Sequence, residues 1–304
     1  MNFTYKNHLK YYLDGHMWGY RNNSTQNYVV EVGKIEAERY QRGNYWNELR
    51  NTADLIYSDL GSDLVVFLSG GTDSEIVLRS FLSIGVKPKC ITINFTDGYN
   101  RSDVTEAVEI AENLGVDLKI LDFDVKNFFY SGQAAEFGSS IQCTQITYLT
   151  VYQAILNTGL PAVMGGELLL RRNVTTDPSS WYYCLRENED CSAMRFSIKY
   201  GIPLVNEFFS YTPELMLYYL EHPSVQQLVS QKFNYKLASV SSKNKILSTL
   251  VPEIKVRKKT HGFEELLAFN FTAYRSLAAK QILRLENNLD GIEYYTIVNF
   301  LRGG

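Results

Sequence analysis

A six-residue turn, residues 69–74, combines two glycines with hydroxyl and carboxylate side chains directly after an apolar run. Its members are Ser69, Gly70, Gly71, Thr72, Asp73 and Ser74. The glycines permit positive φ angles and let the backbone approach a ligand closely. A helix that follows such a turn presents unpaired N–H groups and the positive end of its dipole, so the turn favours an anion. The three hydroxyl side chains add donors for phosphate oxygens.

Asp73 would repel a bare phosphate, but its carboxylate suits a site in which Mg²⁺ lies between it and the phosphates. The turn therefore predicts a site for a magnesium-bound polyphosphate. The alternative is an ordinary strand–turn–helix in which Asp73 caps the helix, since short glycine motifs also occur without function. The turn is not a Walker A loop, because the lysine of the pattern G-x-x-x-x-G-K-[ST] is missing.

A basic run much further along the chain offers cations for the charge of such a ligand. Residues 257–263 read RKKTHGF. An ammonium group on a segment that moves can neutralise charge that develops only in a transition state. Gly262 and Phe263 can hinge and anchor that segment. The competing interpretation is a solvated basic loop.

Charged residues also follow a short apolar stretch, residues 162–164. Glu167 comes after Gly165 and Gly166, at the carboxyl end of a predicted strand, where ligand sites of α/β proteins form. It is predicted as a second metal ligand, with a surface glutamate after a glycine turn as the alternative. Arg171 and Arg172 could clamp a phosphate or carboxylate, and a structural ion pair explains them equally well.

The elements that must position these residues alternate between strand and helix. Strands are predicted at 64–68, 90–95, 118–123 and 162–164, and helices at 74–84, 102–114 and 142–157. This alternation predicts a parallel sheet with helices on both faces. Asp103 and Glu106 have the spacing of a capping box at the start of the second helix. After about residue 200 the strand pattern fades, and the sequence predicts helices at 212–222, 241–250 and 264–287.

The turn at 69–74 resembles the S-G-G-x-D-S loop of the PP-loop ATP pyrophosphatases. The strand at 90–95 and the residues 102–118 are similar to the adenine-side strand and helix of the same fold, the adenine nucleotide alpha hydrolase type. This resemblance implies that the loop binds the pyrophosphate portion of ATP and that Ile93 lies at the nucleotide. It also implies ATP and Mg²⁺ as cofactors, attack at the α-phosphate, and release of AMP and pyrophosphate.

Two distal segments, 201–215 and 245–267, resemble the C-terminal region of the asparagine synthetases. That family has an apolar-Pro-apolar segment followed by an Arg-x-Lys-x-Gly-Phe-like run, which here contains one extra residue before the glycine. By this resemblance Lys259, or Lys258, stabilises charge on the α-phosphate and the tetrahedral intermediate. Arg257, in the same run, joins them as a catalytic candidate.

The sequence departs from the asparagine synthetases at two places. Those enzymes carry an N-terminal glutaminase domain with a terminal cysteine nucleophile, whereas residue 2 here is Asn2. No built-in ammonia source is therefore expected. The acidic G-x-G-x-D-E segment of the family is reduced to residues 164–167, read MGGE, so Glu167 lacks the neighbouring aspartate.

Composition and charge exclude several other classes of protein. The net charge of −3 does not suggest a broadly basic nucleic-acid surface. No apolar run approaches the roughly 18 residues that span a membrane, and the N-terminus lacks the apolar region of a secretory signal. The cysteines Cys90, Cys143, Cys184 and Cys191 form no C-x-x-C pair. They are interpreted as small buried side chains in a reduced, cytoplasmic protein rather than as sulfur carriers.

Together these observations predict an ATP-dependent ligase or amidotransferase that activates a carboxylate or carbonyl oxygen as an adenylate. Ammonia or an amine then displaces AMP and forms a C–N bond. The nitrogen would come from free ammonia, from a substrate amine or from a separate amidotransferase subunit. The alternatives are a PP-loop enzyme that modifies a nucleobase (QueC-like) or thiolates tRNA, and a nucleotide-binding protein without turnover.

Three regions are predicted along the chain. Residues 1–50 form an N-terminal extension or small subdomain, and residues 51–200 form the ATP-binding α/β core. Residues 201–304 form a mainly helical region that completes the active site.

Overall fold

The computed structural model describes most of the predicted core and shorter pieces on either side of it. The described residues are 9–13, 16–17, 28–32, 44–141, 143, 146–166, 170–172, 181–221, 223, 247–251, 253–255, 257, 262 and 293–298.

The secondary-structure elements are numbered along the chain. The strands are β1 (Leu9–Leu13), β2 (His16–Met17), β3 (Tyr28–Val32), β4 (Val65–Phe67), β5 (Lys89–Phe95), β6 (Leu118–Phe123), β7 (Ala162–Val163), β8 (Leu170–Arg172), β9 (Trp181–Arg186), β10 (Leu204–Val205) and β11 (Glu293–Val298). The helices are α1 (Tyr45–Leu60), α2 (Thr72–Ser83), α3 (Arg101–Leu114), α4 (Val125–Tyr130), α5 (Gln133–Ile141), α6 (Ile146–Thr158), α7 (Glu187–Tyr200) and α8 (Pro213–Glu221).

A parallel five-stranded sheet forms the centre of the described core. Its strands lie in the order β10-β7-β4-β5-β6, and all four neighbouring pairs are parallel. Parallel strands cannot be joined by tight hairpins, so helical crossovers connect them. The middle strand, β4, is apolar throughout, and its residues Val65, Val66 and Phe67 are all buried, as expected where both faces of a sheet are covered.

Helices cover both faces of this sheet. Val65 and Phe67 belong to one apolar cluster, and Val66 belongs to another. The clusters continue into the flanking helices, with Phe137 (α5), Leu149 (α6) and Phe196 (α7) in the first, and Leu49 (α1), Ile76 (α2) and Ile110 (α3) in the second. The predicted α/β fold, a parallel sheet with helices on both faces, is confirmed.

The carboxyl ends of four neighbouring strands meet at one edge of the sheet. β4 leads into the turn 69–74, and β5 leads to Asn100 at the start of α3. β7 leads to Gly165 and Gly166, and β10 leads to residues 206–207. In open α/β sheets this edge is where ligands bind.

Two smaller antiparallel sheets accompany the central one. β1 pairs with β2 and β3, and β9 pairs with β8 and β11. Arg171 and Arg172 lie in β8. Within the part of the chain that the structure describes, no helix is both long enough and apolar enough to cross a membrane.

Several boundaries differ from the sequence prediction. The helix predicted at 142–157 begins at Ile146, and α4 and α5 precede it. The predicted capping box of Asp103 and Glu106 is wrong, because α3 begins at Arg101 with Asn100 as its N-cap. α3 ends at residue 114, as predicted, and Gly115 follows it in the left-handed conformation.

The described elements cross both predicted region boundaries. α1 begins at Tyr45 and buries Leu49, while β10 adds a strand to the central sheet after residue 200. α8 confirms the helix predicted at 212–222 within one residue at each end. The helix predicted at 264–287 lies outside the described residues. The division of the chain at residues 50 and 200 stays a prediction.

Candidate active site

Gly70, in the turn 69–74, has a left-handed backbone conformation and packs tightly against α3. Gly70 has a φ of 72°. A Cβ at this position would clash with the backbone carbonyl oxygen of Asp103 and would lie 3.1 Å from Cβ of Glu106. Only glycine provides both the backbone conformation and the close approach. The first turns of α3 therefore support the turn from the side.

Two serines close the turn on itself. Oγ of Ser74 donates to the carbonyl oxygen of Gly71 at 2.9 Å. It accepts the backbone N–H of Ser69 at 3.1 Å and lies 3.2 Å from Oγ of Ser69. These bonds join the two ends of the turn, so both serines set its shape.

Thr72 and the start of α2 leave donors available at the same turn. Thr72 is buried, and its Oγ1 has no hydrogen-bond partner among the described residues. Gly71 is the N-cap of α2 and makes no side-chain cap bond. The first N–H groups of a helix need an acceptor from outside the helix. A phosphate oxygen would satisfy both the hydroxyl and these N–H groups.

Asp73 lies in the first turn of α2, and Gly165, the first of the two glycines that follow β7, approaches it. A Cβ on Gly165 would lie 2.9 Å from Cβ of Asp73. A Cβ on Gly166, whose φ is 71°, would overlap the carboxylate of Glu207 and the carbonyl oxygen of Asn206. The loop after β7 therefore lies between Asp73 and the residues that follow β10.

The carboxylate of Asp73 suits a Mg²⁺ ion that would also bind the phosphates of a nucleotide. Mg²⁺ in nucleotide sites usually takes one or two carboxylates and completes its shell with phosphate oxygens and waters. Asp73 supplies a half-buried carboxylate beside the turn. Within the described residues no group of three or more His, Cys, Asp and Glu side chains is gathered to hold a metal. The second predicted ligand, Glu167, lies outside the described residues.

Tyr45 at the start of α1 and Asn206 directly after β10 are two further buried residues with polar side chains. Burial, with smaller contributions from Tyr219 and Asp73, raises the pKa of the Tyr45 hydroxyl well above its usual value of 10.0. The hydroxyl therefore keeps its proton at neutral pH. Among the described residues, neither this hydroxyl nor Nδ2 of Asn206 has a hydrogen-bond partner. Asn206 follows β10 at the carboxyl edge, so its amide can donate to a ligand there.

The predicted nucleotide contact Ile93 is buried in β5. Its side chain belongs to the apolar core, and its carbonyl oxygen accepts Nδ2 of Asn100 at 2.8 Å. Oδ1 of Asn100 in turn accepts the N–H of Phe95 at 2.8 Å. Asn100 thus fixes the end of β5 against the start of α3, and contact between Ile93 and a nucleotide stays a prediction.

Arg257 is the described basic residue of the run 257–263, and it lies close to the turn. Its NH1 pairs with Glu75 of α2, and its Nε donates to Glu106 of α3 at 2.7 Å. Glu106 is the residue whose Cβ approaches Gly70. The run therefore begins beside the turn although 182 residues separate Arg257 from Glu75. Lys258 and Lys259 lie outside the described residues.

No protein-family model matches this chain, and no curated protein matches it. Three solved structures give weak likenesses. A predicted subunit of tRNA methyltransferase from Methanocaldococcus jannaschii DSM is 15% identical with a TM-score of 0.33, over 64% of this chain and 88% of that chain. NMN synthetase from Francisella tularensis is 12% identical with a TM-score of 0.32, over 80% and 97%. The NH3-dependent NAD synthetase from Campylobacter jejuni subsp. jejuni NCTC 11168 is 11% identical with a TM-score of 0.30, over 84% and 96%. Likenesses at this level carry no argument about the site or its chemistry.

Two of the four cysteines can be placed in the interior. Cys90 and Cys143 are buried, and neither forms a disulfide. Burial, followed by the charge of Asp117, raises the pKa of the Cys90 thiol to about 12. The reactive thiolate is therefore scarce at neutral pH, which agrees with the interpretation of Cys90 as a small buried side chain.

Sequence reasoning did not anticipate several residues around the turn. Glu75, Glu106, Asn100, Asn206 and Glu207 all lie at this edge or contact its supports. Glu75 lies within the helical pattern of the sequence like a surface residue, and Glu106 was predicted as a capping-box residue rather than as an ion-pair partner of Arg257. The structure shows that Glu75, a residue only 2% exposed, is the buried partner of Arg257.

Replacing Asp73 with asparagine is expected to weaken magnesium-dependent ATP binding by about tenfold, the scale of one hydrogen bond to a charged group. The fold should be retained, because Asp73 is half-buried at the turn rather than in the core. Calorimetric titration with ATP, with and without Mg²⁺, measures the effect. Asp63→Asn is the matched control, since Asp63 lies before β4 at the opposite end of the strand and, among the described residues, forms an ion pair only with exposed Lys89, at 3.5 Å. Equal Mg-ATP affinities in the two variants would contradict the assignment of Asp73.

Proposed function

We propose that this protein is an ATP-dependent ligase of the PP-loop type, which activates a carboxylate or carbonyl oxygen as an adenylate. The observation that carries this proposal is the turn 69–74 at the carboxyl edge of a parallel sheet. There the left-handed Gly70, the unbonded hydroxyl of Thr72 and the uncapped start of α2 converge. These groups suit the pyrophosphate portion of ATP, because they supply neutral donors and a helix dipole at one place.

The reaction proposed has two displacements. An oxygen of the acceptor attacks the α-phosphorus of ATP, the bond from that phosphorus to the bridging oxygen breaks, and pyrophosphate leaves toward the turn. Ammonia or an amine then adds to the activated carbon, loses a proton, and displaces AMP. The turn lacks the Walker lysine that serves γ-phosphate chemistry, which favours cleavage between the α- and β-phosphates.

The reacting centre needs a cation that the turn does not supply. Donors at a glycine turn stabilise the departing pyrophosphate, whereas charge on the attacked α-phosphate develops a few ångströms away. We assign this task to Lys259, with Lys258 as its neighbour in the run. The position of Arg257 beside α2 and α3 supports the assignment, since the lysines follow it directly in the chain.

Mg²⁺ would be held by Asp73 and by the phosphates, with Glu167 as a second ligand, and would neutralise the triphosphate. Residues 201–304 would complete the site, as the contacts of Arg257 suggest. The nitrogen would come from free ammonia, from a substrate amine or from a separate amidotransferase subunit. The acceptor is a small molecule with a carboxylate.

The nucleotide products test the proposal. Incubation of the full chain with ATP, Mg²⁺, ammonium and a panel of carboxylates should yield AMP and pyrophosphate, because the leaving group is pyrophosphate. Anion-exchange chromatography separates these products from ADP and orthophosphate. A reaction without acceptor serves as the control and should give little AMP.

Other outcomes point to different functions. ADP and orthophosphate as the main products would contradict the proposal. AMP formation that requires added RNA would favour nucleobase or tRNA modification, and Mg-ATP binding without any product would favour a nucleotide-binding protein without turnover.

A further inference from the structure

Arg257 is a buried arginine that joins two helices at the edge of the site. Its side chain is 5% exposed. Its Nε bonds Glu106 of α3 at 2.7 Å, while its NH1 pairs with Glu75 of α2. The pairing partner Glu75 is also nearly inaccessible, with a side chain 3% exposed. Buried charges remain in a fold only when paired in this way, and breaking such a pair is costly.

Glu75 is held from both sides by arginines. Arg79, one helical turn further along α2, binds Oε1 of Glu75 with its Nε at 2.9 Å and its NH2 at 2.8 Å. Oε2 of Glu75 is left for Arg257. The two arginines balance the charges of Glu75 and Glu106, so the guanidinium of Arg257 is committed to helix carboxylates.

The residues before Arg257 approach the same two helices through weaker contacts. Glu253 pairs with Arg79 at 3.4 Å, and Lys255 pairs with Glu109 of α3 at 3.8 Å. The side chains of Glu253 and Lys255 are 77% and 66% exposed, so solvent screens both pairs. Of the described residues among 253–257, Arg257 is the one that holds this part of the chain to α2 and α3 through ion pairs of a buried side chain.

Gly262, near the other end of the basic run, packs closely against the same edge of the sheet and forms a second attachment of the run. Gly262 has a φ of 79°, and a Cβ there would lie 2.9 Å from Cβ of Asn100 and 3.0 Å from Cε2 of Phe95. Phe95 ends β5, and Asn100 precedes α3. Both attachments are therefore at the carboxyl edge of the sheet, next to the turn.

We propose that Arg257 is a positioning residue, which fastens the segment 258–261 at this edge so that Lys259 is presented to the reacting phosphate. The role rests on the proposed function, because it needs Lys259 to act on ATP. In this role Arg257 does not contact the substrate itself, because its guanidinium already binds Glu75 and Glu106. Gly262 forms the second attachment of the same segment.

The test compares Arg257→Ala, Arg257→Lys and Gly262→Ala in the full chain, with Lys255→Ala as the control. Lys255 lies two residues before Arg257, and its ion pair is exposed. Three quantities are measured: kcat for AMP formation, the Kd of Mg-ATP, and the rate of native-state cleavage after Lys258 and Lys259 by a lysine-specific protease. The protease rate reports how often the segment opens.

Arg257→Ala and Gly262→Ala are expected to lower kcat by about 100-fold, the effect of a misplaced catalytic group. The Kd of Mg-ATP should stay nearly unchanged, and cleavage after the two lysines should accelerate by about tenfold, the effect of roughly 1.4 kcal/mol on an opening equilibrium. Arg257→Lys should recover part of kcat, because an ammonium keeps the charge but cannot bind both carboxylates in the same fork geometry. Lys255→Ala should match the unmodified protein in all three quantities.

The outcomes separate this role from the proposed function. Unchanged kcat and unchanged cleavage in Arg257→Ala and Gly262→Ala would overturn the positioning role. If Arg257→Ala does not fold, Gly262→Ala and Glu106→Gln decide in the same way, since Glu106 is half-buried and outside the apolar core. If the unmodified protein makes no AMP, the proposed function fails, and the protease rates alone decide whether Arg257 fastens the segment.

Discussion

Replacing Lys259 with alanine is expected to lower kcat for AMP formation by about 100- to 1000-fold, or about 2.7–4 kcal/mol, the usual effect of removing one preorganised donor. The affinity for Mg-ATP should remain nearly unchanged, because the ground-state contacts proposed above come from the turn 69–74, which includes Asp73. A loss confined to kcat identifies an interaction made only in the transition state. Steady-state AMP release and calorimetric titration of Mg-ATP together measure this split.

Lys258→Ala and Lys255→Ala are the controls for this prediction. Lys258→Ala should have a milder effect, and a reversed ranking would mean that the extra residue before Gly262 shifts the register by one. Lys255 pairs with Glu109 at 3.8 Å on the outer side of α3, so its loss should change nothing. Near-normal turnover in the Lys258→Ala/Lys259→Ala double variant would identify the run as a solvated loop. The asparagine-synthetase resemblance would then lose its mechanistic content.

The local features of the fold could be predicted because they depend on neighbouring residues. Strand 118–123 has the predicted bounds, and α3 ends at the predicted residue 114, just before the left-handed Gly115. The turn 69–74 was recognisable for the same reason, since its glycines and hydroxyls are contiguous. A β10 of two residues, Leu204–Val205, is too short to give a periodic pattern, although it adds a strand to the sheet.

The supports of the site could not be predicted, because they join residues far apart in the chain. Arg257 is separated from Glu106 by 151 residues and from Glu75 by 182. An ion pair across such distances leaves no spacing or periodicity in a single sequence. Asn100 illustrates a second limit. Its side chain binds the backbone of Ile93 and Phe95, so α3 begins at Arg101 rather than at the apparent capping box.

The close approach of Gly70 to α3 gives the second large prediction. Gly70→Ala would place a methyl group against the carbonyl oxygen of Asp103 and 3.1 Å from that residue's carbonyl carbon. Backbone atoms cannot rotate away as a flexible side chain can, so either the turn or the first turn of α3 must shift. A shift of about 1 Å in a catalytic site costs on the order of 100-fold in rate, and we expect a loss of that size in kcat/KM for AMP formation.

Gly85→Ala separates this effect from the cost of the backbone conformation alone. Gly85 also has a positive φ, of 80°, yet a Cβ there meets no described heavy atom within 4 Å. Both substitutions carry the left-handed penalty of about 1–2 kcal/mol, which urea denaturation measures as a lower free energy of unfolding. Only Gly70→Ala should also weaken Mg-ATP binding and turnover, because Gly70 is the residue through which the turn packs against α3. Equal activity in the two variants would mean that the position of the turn against α3 has no part in nucleotide binding. The site would then have to be sought at another part of the sheet edge.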